Sequence, residues 1–494
     1  MVIEHHKGVL THGKRGFAMR RKHTRAIRGA AVLAAALAAA GLTAAAAGTA
    51  ATGTAAAAGT RNIAARASTA LTAADAQGRM HPDLVRVGIS PEDVPLTDGQ
   101  CQAVVSIDCY LPTQVEAAYN LPALYNKGVT GKGTTIVIVD AYGSPSITSD
   151  LAQFDDYIGL GVPPFQIVKY GNVPTYDDSN GDMLSWAQET TLDVEYAHAG
   201  APGAKIVLVE APNDSDSGLF GAVNYAITHH LGNIISMSWG GAESNDGRAA
   251  DHSFDKLFAA AEKAHITVVN SSGDDGVSDI NNNGNYYNHP VVNYPASNPL
   301  VTAVGGTEIN INASGQRGGS DSGWNDTYNK PAQNFYFGSD GPNPLATGGG
   351  KSVFYSRPSW QNSVKSVTGS ARGVPDISMS ASCAAAVGVY WTFNGVNGGW
   401  YIFCGTSEAA PMFAAVVALA DQEAGHALGF INPALYKLAA EHAPGIVAIS
   451  GGNNTVSFGN TTVHGYTVKH GYNLVTGLGS INGQYFVPEL AKLG

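Results

Sequence analysis

Residues 205–239 read KIVLVEAPNDSDSGLFGAVNYAITHHLGNIISMSW, and the reading of this stretch decides the fold. Lys205–Glu210 is a short apolar, β-branched run, the composition of a strand buried on both faces. Gly218–Leu231 has helical spacing, and Asn233–Trp239 is strand-like again. The pattern continues outward on both sides. Thr134–Asp140 (TTIVIVD) is another such run upstream; downstream, Asp251–His265 is helical and Ile266–Asn270 (ITVVN) is strand-like. Apolar strands separated by helices imply an α/β fold, a doubly wound, mostly parallel sheet with helices on both faces. In such sheets, sites form at the carboxyl ends of the strands. Polar residues follow the strands directly: Asp140 after the first, Ser271–Gly276 after the last.

The chain has 494 residues, enough for two or three domains or one large domain with extensions. Hydrophobic residues make up 44%, and the 60 glycines indicate many tight turns. The charged fraction of 14% is well below the roughly 25% of ordinary globular chains. Residues 1–100 carry 12 Lys and Arg against 6 Asp and Glu, which leaves 16 basic and 33 acidic residues beyond them. An acidic body argues against nucleic acid or an anionic membrane as partner. Its carboxylates become neutral in acid, which fits an enzyme working there.

The N-terminus has the layout of an export signal. Arg20, Arg21, Lys22, Arg25 and Arg28 precede an uncharged Ala/Leu-rich run from Ala30 to Ala50, and small residues follow. Residues 1–50 are therefore read as the signal region, with Met19 as an alternative start. A single membrane anchor is the competing reading, but alanine is weakly hydrophobic and the small-residue tail favours cleavage. A secreted, extracellular protein without stable membrane association is expected. Residues 51–100 are read as a linker or short pro-segment, and the globular domain spans 101–494. Four cysteines, Cys101, Cys109, Cys383 and Cys404, suggest two disulfides in an exported chain. Three pairings are open; the local one, Cys101–Cys109 with Cys383–Cys404, is preferred.

Gly405-Thr406-Ser407-Glu408-Ala409-Ala410-Pro411 is a small-residue turn presenting a serine ahead of a long apolar helix. Free N–H groups at a helix start can hold a developing negative charge. Taken alone, an N-cap serine would look the same. A serine nucleophile needs a base, and the 15 histidines supply no recognisable partner motif; His198 reads as structural or surface. Carboxylates offer the alternative. Glu189 and Asp193 are four apart and share one helix face. Paired acids repel when both ionise, so one holds its proton to higher pH and the pair can shuttle it. Glu195, two residues on, points elsewhere. In Ser272-Gly273-Asp274-Asp275-Gly276 a protonated Asp274 could donate to an oxyanion.

Together these residues resemble the sedolisin family, the serine-carboxyl peptidases related to subtilisin. Glu189–Asp193 is similar to its E-x-x-x-D helix, Ser272–Gly276 to its S-G-D-x-G loop, and Cys404–Ser407 to its S-G-T-S turn. Weaker markers keep the family's order: Ser238-Trp239-Gly240, Tyr294-Pro295-Ala296, Val304–Thr307, Gly373–Asp376 and Thr476–Gly479. The resemblance implies a subtilisin-like fold and an acyl-enzyme serine peptidase acting on proteins or peptides at acid pH; an endopeptidase is expected, with exopeptidase action left open because the family contains both, and a monomer is expected. Ser407 would be the nucleophile, Glu189 the general base and acid, Asp193 its proton-sharing partner, and Asp274 the oxyanion donor. Ser238-Trp239-Gly240 would pair with the substrate backbone.

Three departures stand out. Only about 50 residues separate a signal of ordinary length from Cys101, where the family carries a long folded pro-domain. Cys404 replaces the first Ser of S-G-T-S. The family's C-terminal calcium site resembles Ala448-Ile449-Ser450 and Lys469–Asn473 here, with both carboxylates missing. No cofactor is therefore expected; Lys469 or a backbone network would replace the cation. Asp140 keeps a Ser/His/Asp subtilisin in view, without a histidine motif to support it. A catalytically silent binding protein is the other alternative, against the intact Glu189, Asp193, Asp274 and Ser407.

Overall fold

The structure, a computed structural model, describes residues 79–493 except 84, 91–93, 246, 313–314, 339–340 and 394–395. The signal region, and the linker up to residue 78, lie outside the described residues. Seven parallel strands form the central sheet: β1 (Thr135–Ala141), β2 (Phe165–Lys169), β3 (Lys205–Ala211), β4 (Ile234–Met237), β5 (Thr267–Ser271), β6 (Thr302–Glu308) and β7 (Ile377–Ser380). Their order across the sheet is β2-β3-β1-β4-β5-β6, with β7 and the antiparallel Ser322–Gly323 also pairing with β6. The chain starts at β1, builds outward to β2 on one side, then crosses back to add β4, β5 and β6 on the other. The order reverses at β1, so the crevice between the carboxyl ends of β1 and β4 is where a doubly wound sheet places its site.

The strands read as continuous apolar runs because both faces are covered. Ile136, Ile138, Ile206, Leu208 and Ile234 pack on one face with Leu192 of helix α1 (Gly181–Gly200) and with Met412 and Phe413 of helix α4 (Thr406–Ala424). Alternate residues Val137, Val139, Val207, Val209 and Ile235 face the other way. They pack with Leu219 and Phe220 of α2 (Asp216–Thr228) and Phe258 of α3 (Asp255–Lys263). Helix α1 begins at Asn180, whose side chain accepts from the N–H groups of Asp182 and Met183 at 2.9 and 3.3 Å. Every residue from Trp186 to Gly200 is buried. A Cβ on Gly200 would sit 2.6 Å from that of Ala415, so glycine there lets α1 and α4 approach closely. Glu189 and Asp193 are thus carried into the interior, not onto a solvated helix face.

Both expected local disulfides are formed, Cys101–Cys109 and Cys383–Cys404. The second ties β7's continuation to the residue before Gly405. Replacing Cys383 and Cys404 together by serine is expected to cost about 3 kcal/mol, from the entropy of a loop this long in the unfolded chain. Denaturant unfolding of both forms measures it. Strand pairing also begins upstream of Cys101, where composition alone places the start of the globular part. His81–Pro82 pairs antiparallel with Trp239–Ala242, and Val85–Ser90 pairs antiparallel with Val396–Cys404.

Candidate active site

Ser407 is the second residue of α4, fully buried, following Gly405 at φ +123°. That φ is left-handed territory reserved for glycine. Space demands glycine as well: a Cβ there would meet both Asp274 Oδ2 and the Asp83 carbonyl oxygen at 2.4 Å. Those two oxygens therefore flank one point in front of the helix start.

Glu189, one turn before Asp193 on α1, faces Ser407. Burial, then the charges of Asp193 and Asp140, push its pKa well above the ordinary value; the Ser407 hydroxyl offsets part of the rise. The hydroxyl's best acceptor is the Ser238 carbonyl at 3.4 Å, and both Glu189 oxygens lack a hydrogen bond of good geometry. Such contacts commonly tighten only with substrate. Asp193 is buried and also raised well above its usual range, by burial first and then by Asp140. Ser238 Oγ donates to its Oδ1 at 2.7 Å. Asp140, at the end of β1, completes the group; burial raises it to about 7. Three buried carboxyls without a cation cannot all ionise, so the cluster holds protons at a pH where free carboxyls have lost them.

Asp274 lies on the loop after β5. Its Oδ1 accepts from Thr406 N–H at 2.7 Å and Thr406 Oγ at 2.8 Å, and burial raises its pKa well above normal. Its Oδ2 makes no hydrogen bond and faces the point that Gly405 leaves open. A neutral carboxyl oriented this way offers an O–H to an oxygen placed there. Ser407 N–H supplies a second donor: it reaches the Asp83 carbonyl at 3.2 Å.

Ser238-Trp239-Gly240, expected to pair with the substrate backbone, leads into the strand Trp239–Ala242. Trp239 itself is an anchor, fully buried with its Nε1–H donating to Val139 O at 2.7 Å, so the strand presents backbone to the cleft. It is paired with the chain's own His81–Pro82, His81 opposite Gly240 and Pro82 opposite Trp239. Asp83 N–H then donates to the Ser238 carbonyl at 3.1 Å. Sequence reasoning leaves Asp83 in the linker, because a single carboxylate in a polar stretch has no local signature.

Other candidates fall outside the cluster. Glu195 accepts from Tyr390 N–H at 3.1 Å, away from Ser407, as its spacing implies. His198 is buried against Asp155 at 3.3 Å and Gly161 O at 3.1 Å, and burial lowers its pKa to about 4. Glu408, unremarkable in the sequence, is buried with its pKa raised to about 8 by desolvation.

The stretches resembling a calcium site do not fit that ion. Asn473 stands in the loop and its Nδ2 donates to the Lys469 and Gly471 carbonyls at 3.3 Å, while its Oδ1 accepts from Val475 and Thr476 N–H at 3.0 and 2.9 Å. An amide donor already occupies carbonyls that would ligate a cation. Asp321, whose carbonyl accepts from Ser450 N–H, has its carboxyl paired with Arg317 at 3.0 Å. Lys469 is exposed.

Fold and site together define a subtilisin-like α/β frame that sets Ser407 against a cluster of buried carboxyls. The sequence profile of the subtilase family matches residues 176–437, more than half of the chain. This chain belongs to the subtilase family. Among relatives, it is 35% identical to kumamolisin of Bacillus sp. strain MN-32 over 67% of this chain and 56% of that protein. It is 30% identical to sedolisin of Pseudomonas sp. strain 101 over 76% of this chain and 60% of that protein. Among solved structures, a Pseudomonas sedolisin, a serine-carboxyl proteinase complexed with two molecules of pseudo-iodotyrostatin, superposes with a TM-score of 0.64 at 28% identity. That match covers 78% of this chain and 97% of the other. The chain spans a little over half the length of these two curated relatives.

Proposed function

We propose that this chain is a secreted serine-carboxyl endopeptidase that cleaves protein and peptide substrates through an acyl-enzyme at acid pH. One observation carries the reading. A backbone carbonyl lies against Ser407 N–H and Asp274, beside the Ser407 hydroxyl and within reach of the Glu189/Asp193 pair. Ser407 Oγ attacks the carbonyl carbon while Glu189 takes its proton. Ser407 N–H and protonated Asp274 bind the oxyanion. Glu189 returns the proton to the leaving amine, Asp193 stabilises each protonation state in turn, and water releases the acyl group. The chemistry needs Glu189 ionised at the start and Asp274 neutral, which requires a pH at which the coupled carboxyl cluster is only partly protonated.

Endo-action is supported by the length of the cleft. Backbone contacts run upstream of Asp83 through Met80 N–H to Asp214 O, and Arg79 bridges to Ser215. Among the described residues, Arg79–Asp83 lies along the cleft, more than a tripeptide's length of chain. The test is digestion of an unfolded protein at about pH 4 with mass analysis of early products. Internal cuts and large fragments are expected; release of tripeptides alone would contradict the reading. A pseudoenzyme would yield no fragments.

Asp274→Ala is expected to lower kcat by about 10²–10³-fold with a small change in KM, the usual loss for one oxyanion donor. Steady-state kinetics on a chromogenic peptide would separate the two. The C-terminal loop is proposed to work without calcium: a chelator should leave Tm unchanged, and a Tm that rises with added calcium would contradict this.

A further inference from the structure

We infer that the cleft selects substrates with an acidic residue, aspartate or glutamate, at the position whose carbonyl Ser407 attacks. The inference rests on the function proposed above and narrows its substrate class. Asp83 marks that position. Its carbonyl receives Ser407 N–H at 3.2 Å, and its own N–H donates to the Ser238 carbonyl at 3.1 Å. Its side chain therefore fills the recess that a substrate side chain would enter. There Ser271 Oγ donates to Asp83 Oδ2 at 2.6 Å, and the residue is only 7% exposed.

The recess is built for a group that both gives and accepts hydrogen bonds. Among the described residues its lining is serine, glycine, aspartate and asparagine, with no apolar side chain. Ser271 ends β5, Asp275, Ser278 and Asp279 lie on the loop that follows, and Asn293 comes from the short strand Asn293–Tyr294. Local bonds fix the wall. Ser278 Oγ donates to Tyr287 O at 2.7 Å, Asp279 Oδ1 accepts from Ile280 N–H at 2.6 Å, and the Tyr286 hydroxyl donates to Asp275. Asn293, only 6% exposed, keeps its Oδ1 without a hydrogen bond and directed at Gly240 of the cleft strand. A water-sized gap remains beside Asp83, and the extra methylene of a glutamate would use it.

The titratable groups facing the recess are Asp274, Asp275 and Asp279 of the loop, with Tyr286 behind Asp275 and Glu189 and Asp193 across the cleft. Burial raises Asp83 and Asp275 to about 7 and Asp279 well above the ordinary range. In acid, guest and wall are both neutral. A carboxylic acid then supplies an O–H for the aspartate and asparagine oxygens and an oxygen for the Ser271 hydroxyl. A lysine would meet neutral acids and find no counter-charge. A leucine or phenylalanine would bury the wall's polar groups without partners, which is the costly case. As the pH rises and the carboxyls ionise, an acidic guest is repelled and its advantage shrinks.

The full chain is assayed at about pH 4 on quenched fluorescent peptides that differ only at this position, carrying Asp, Glu, Leu, Phe or Lys, and kcat/KM is read for each. The chain's own Asp83 competes with every peptide alike, so the ratios are unaffected. The Asp and Glu peptides are expected to exceed the other three by at least about 10-fold. Ser271→Ala should lower kcat/KM for the Asp peptide by about 10-fold and leave the Leu peptide within about 2-fold, which also shows that the variant is folded. Asp279→Asn cannot ionise at that position and should carry the acidic preference to higher pH than wild type does. A best peptide carrying Leu, Phe or Lys, or a Ser271→Ala loss equal on the Asp and Leu peptides, overturns the inference and leaves the proposed function standing. If wild type cuts none of the peptides, both fall.

Discussion

Changing Glu189 to Gln is expected to lower kcat by about 10⁴-fold or more, and Ser407→Ala by about 10⁶-fold, with KM nearly unchanged in each. The serine loss is direct, since Ser407 supplies the attacking hydroxyl. The glutamine loss follows from protonation chemistry. An amide can neither take the Ser407 proton nor return one to the leaving amine, yet it matches the carboxyl in shape, so the fully buried site keeps its packing. His198 cannot substitute. His198 is committed to Asp155 and Gly161 O, and burial holds it neutral down to about 4. The two variants act on one unit, so the double variant should be no slower than Ser407→Ala alone. Additive losses would mean that Glu189 works outside the proton path.

Stability is expected to be greatest in acid and to fall as the solution is neutralised, by at least about 10 °C in Tm between pH 4 and pH 8. The cause is the set of carboxyls whose pKa is raised by burial: Asp140, Asp155 and Asp421 to about 7, Glu116 and Glu408 to about 8. The unfolded chain releases these protons near pH 4, whereas the folded chain keeps them to about pH 7–8. In that window the folded state binds more protons, so stability declines with each step upward. It is fully present below the unfolded pKa and lost as pH rises through the folded values. Every tenfold gain in a carboxyl's proton affinity on folding corresponds to about 1.4 kcal/mol, so even partial relief of a few groups is a large fraction of a domain's net stability. Thermal unfolding across this range checks it. A Tm flat with pH, or rising toward neutrality, would show that water or rearrangement relieves these groups. Asp376, also fully buried, is paired with Arg372 at 2.6 Å.

The sheet was legible because its strands are buried on both faces and so read as unbroken β-branched runs. Thr134–Asp140 and Lys205–Glu210 match β1 and β3 to within a residue. Asn233–Trp239 reads as one strand but is two, Ile234–Met237 and Trp239–Ala242. The break at Ser238 frees its carbonyl for Asp83 N–H and its hydroxyl for Asp193, and no local residue pattern announces it. Glu189, Asp193, Asp274 and Ser407 were legible as motifs, and the structure gathers them at one point. That α1 is buried on all sides was not legible, because its acids mimic a solvated face; burial comes from α4 packing across Gly200. Asp83 and the strands around it were hidden for a different reason. Two-residue and edge pairings carry little hydrophobic pattern, and only tertiary hydrogen bonds define them.

The most direct test of a carboxyl-based serine mechanism is the pH dependence of peptide cleavage by wild type, Glu189→Gln and Ser407→Ala, measured side by side. Wild-type activity should peak at about pH 3–5, where perturbed and ordinary carboxyls share protons, and both variants should be silent throughout. A neutral or alkaline optimum that persists in Glu189→Gln would contradict the account and require a base other than the Glu189/Asp193 pair.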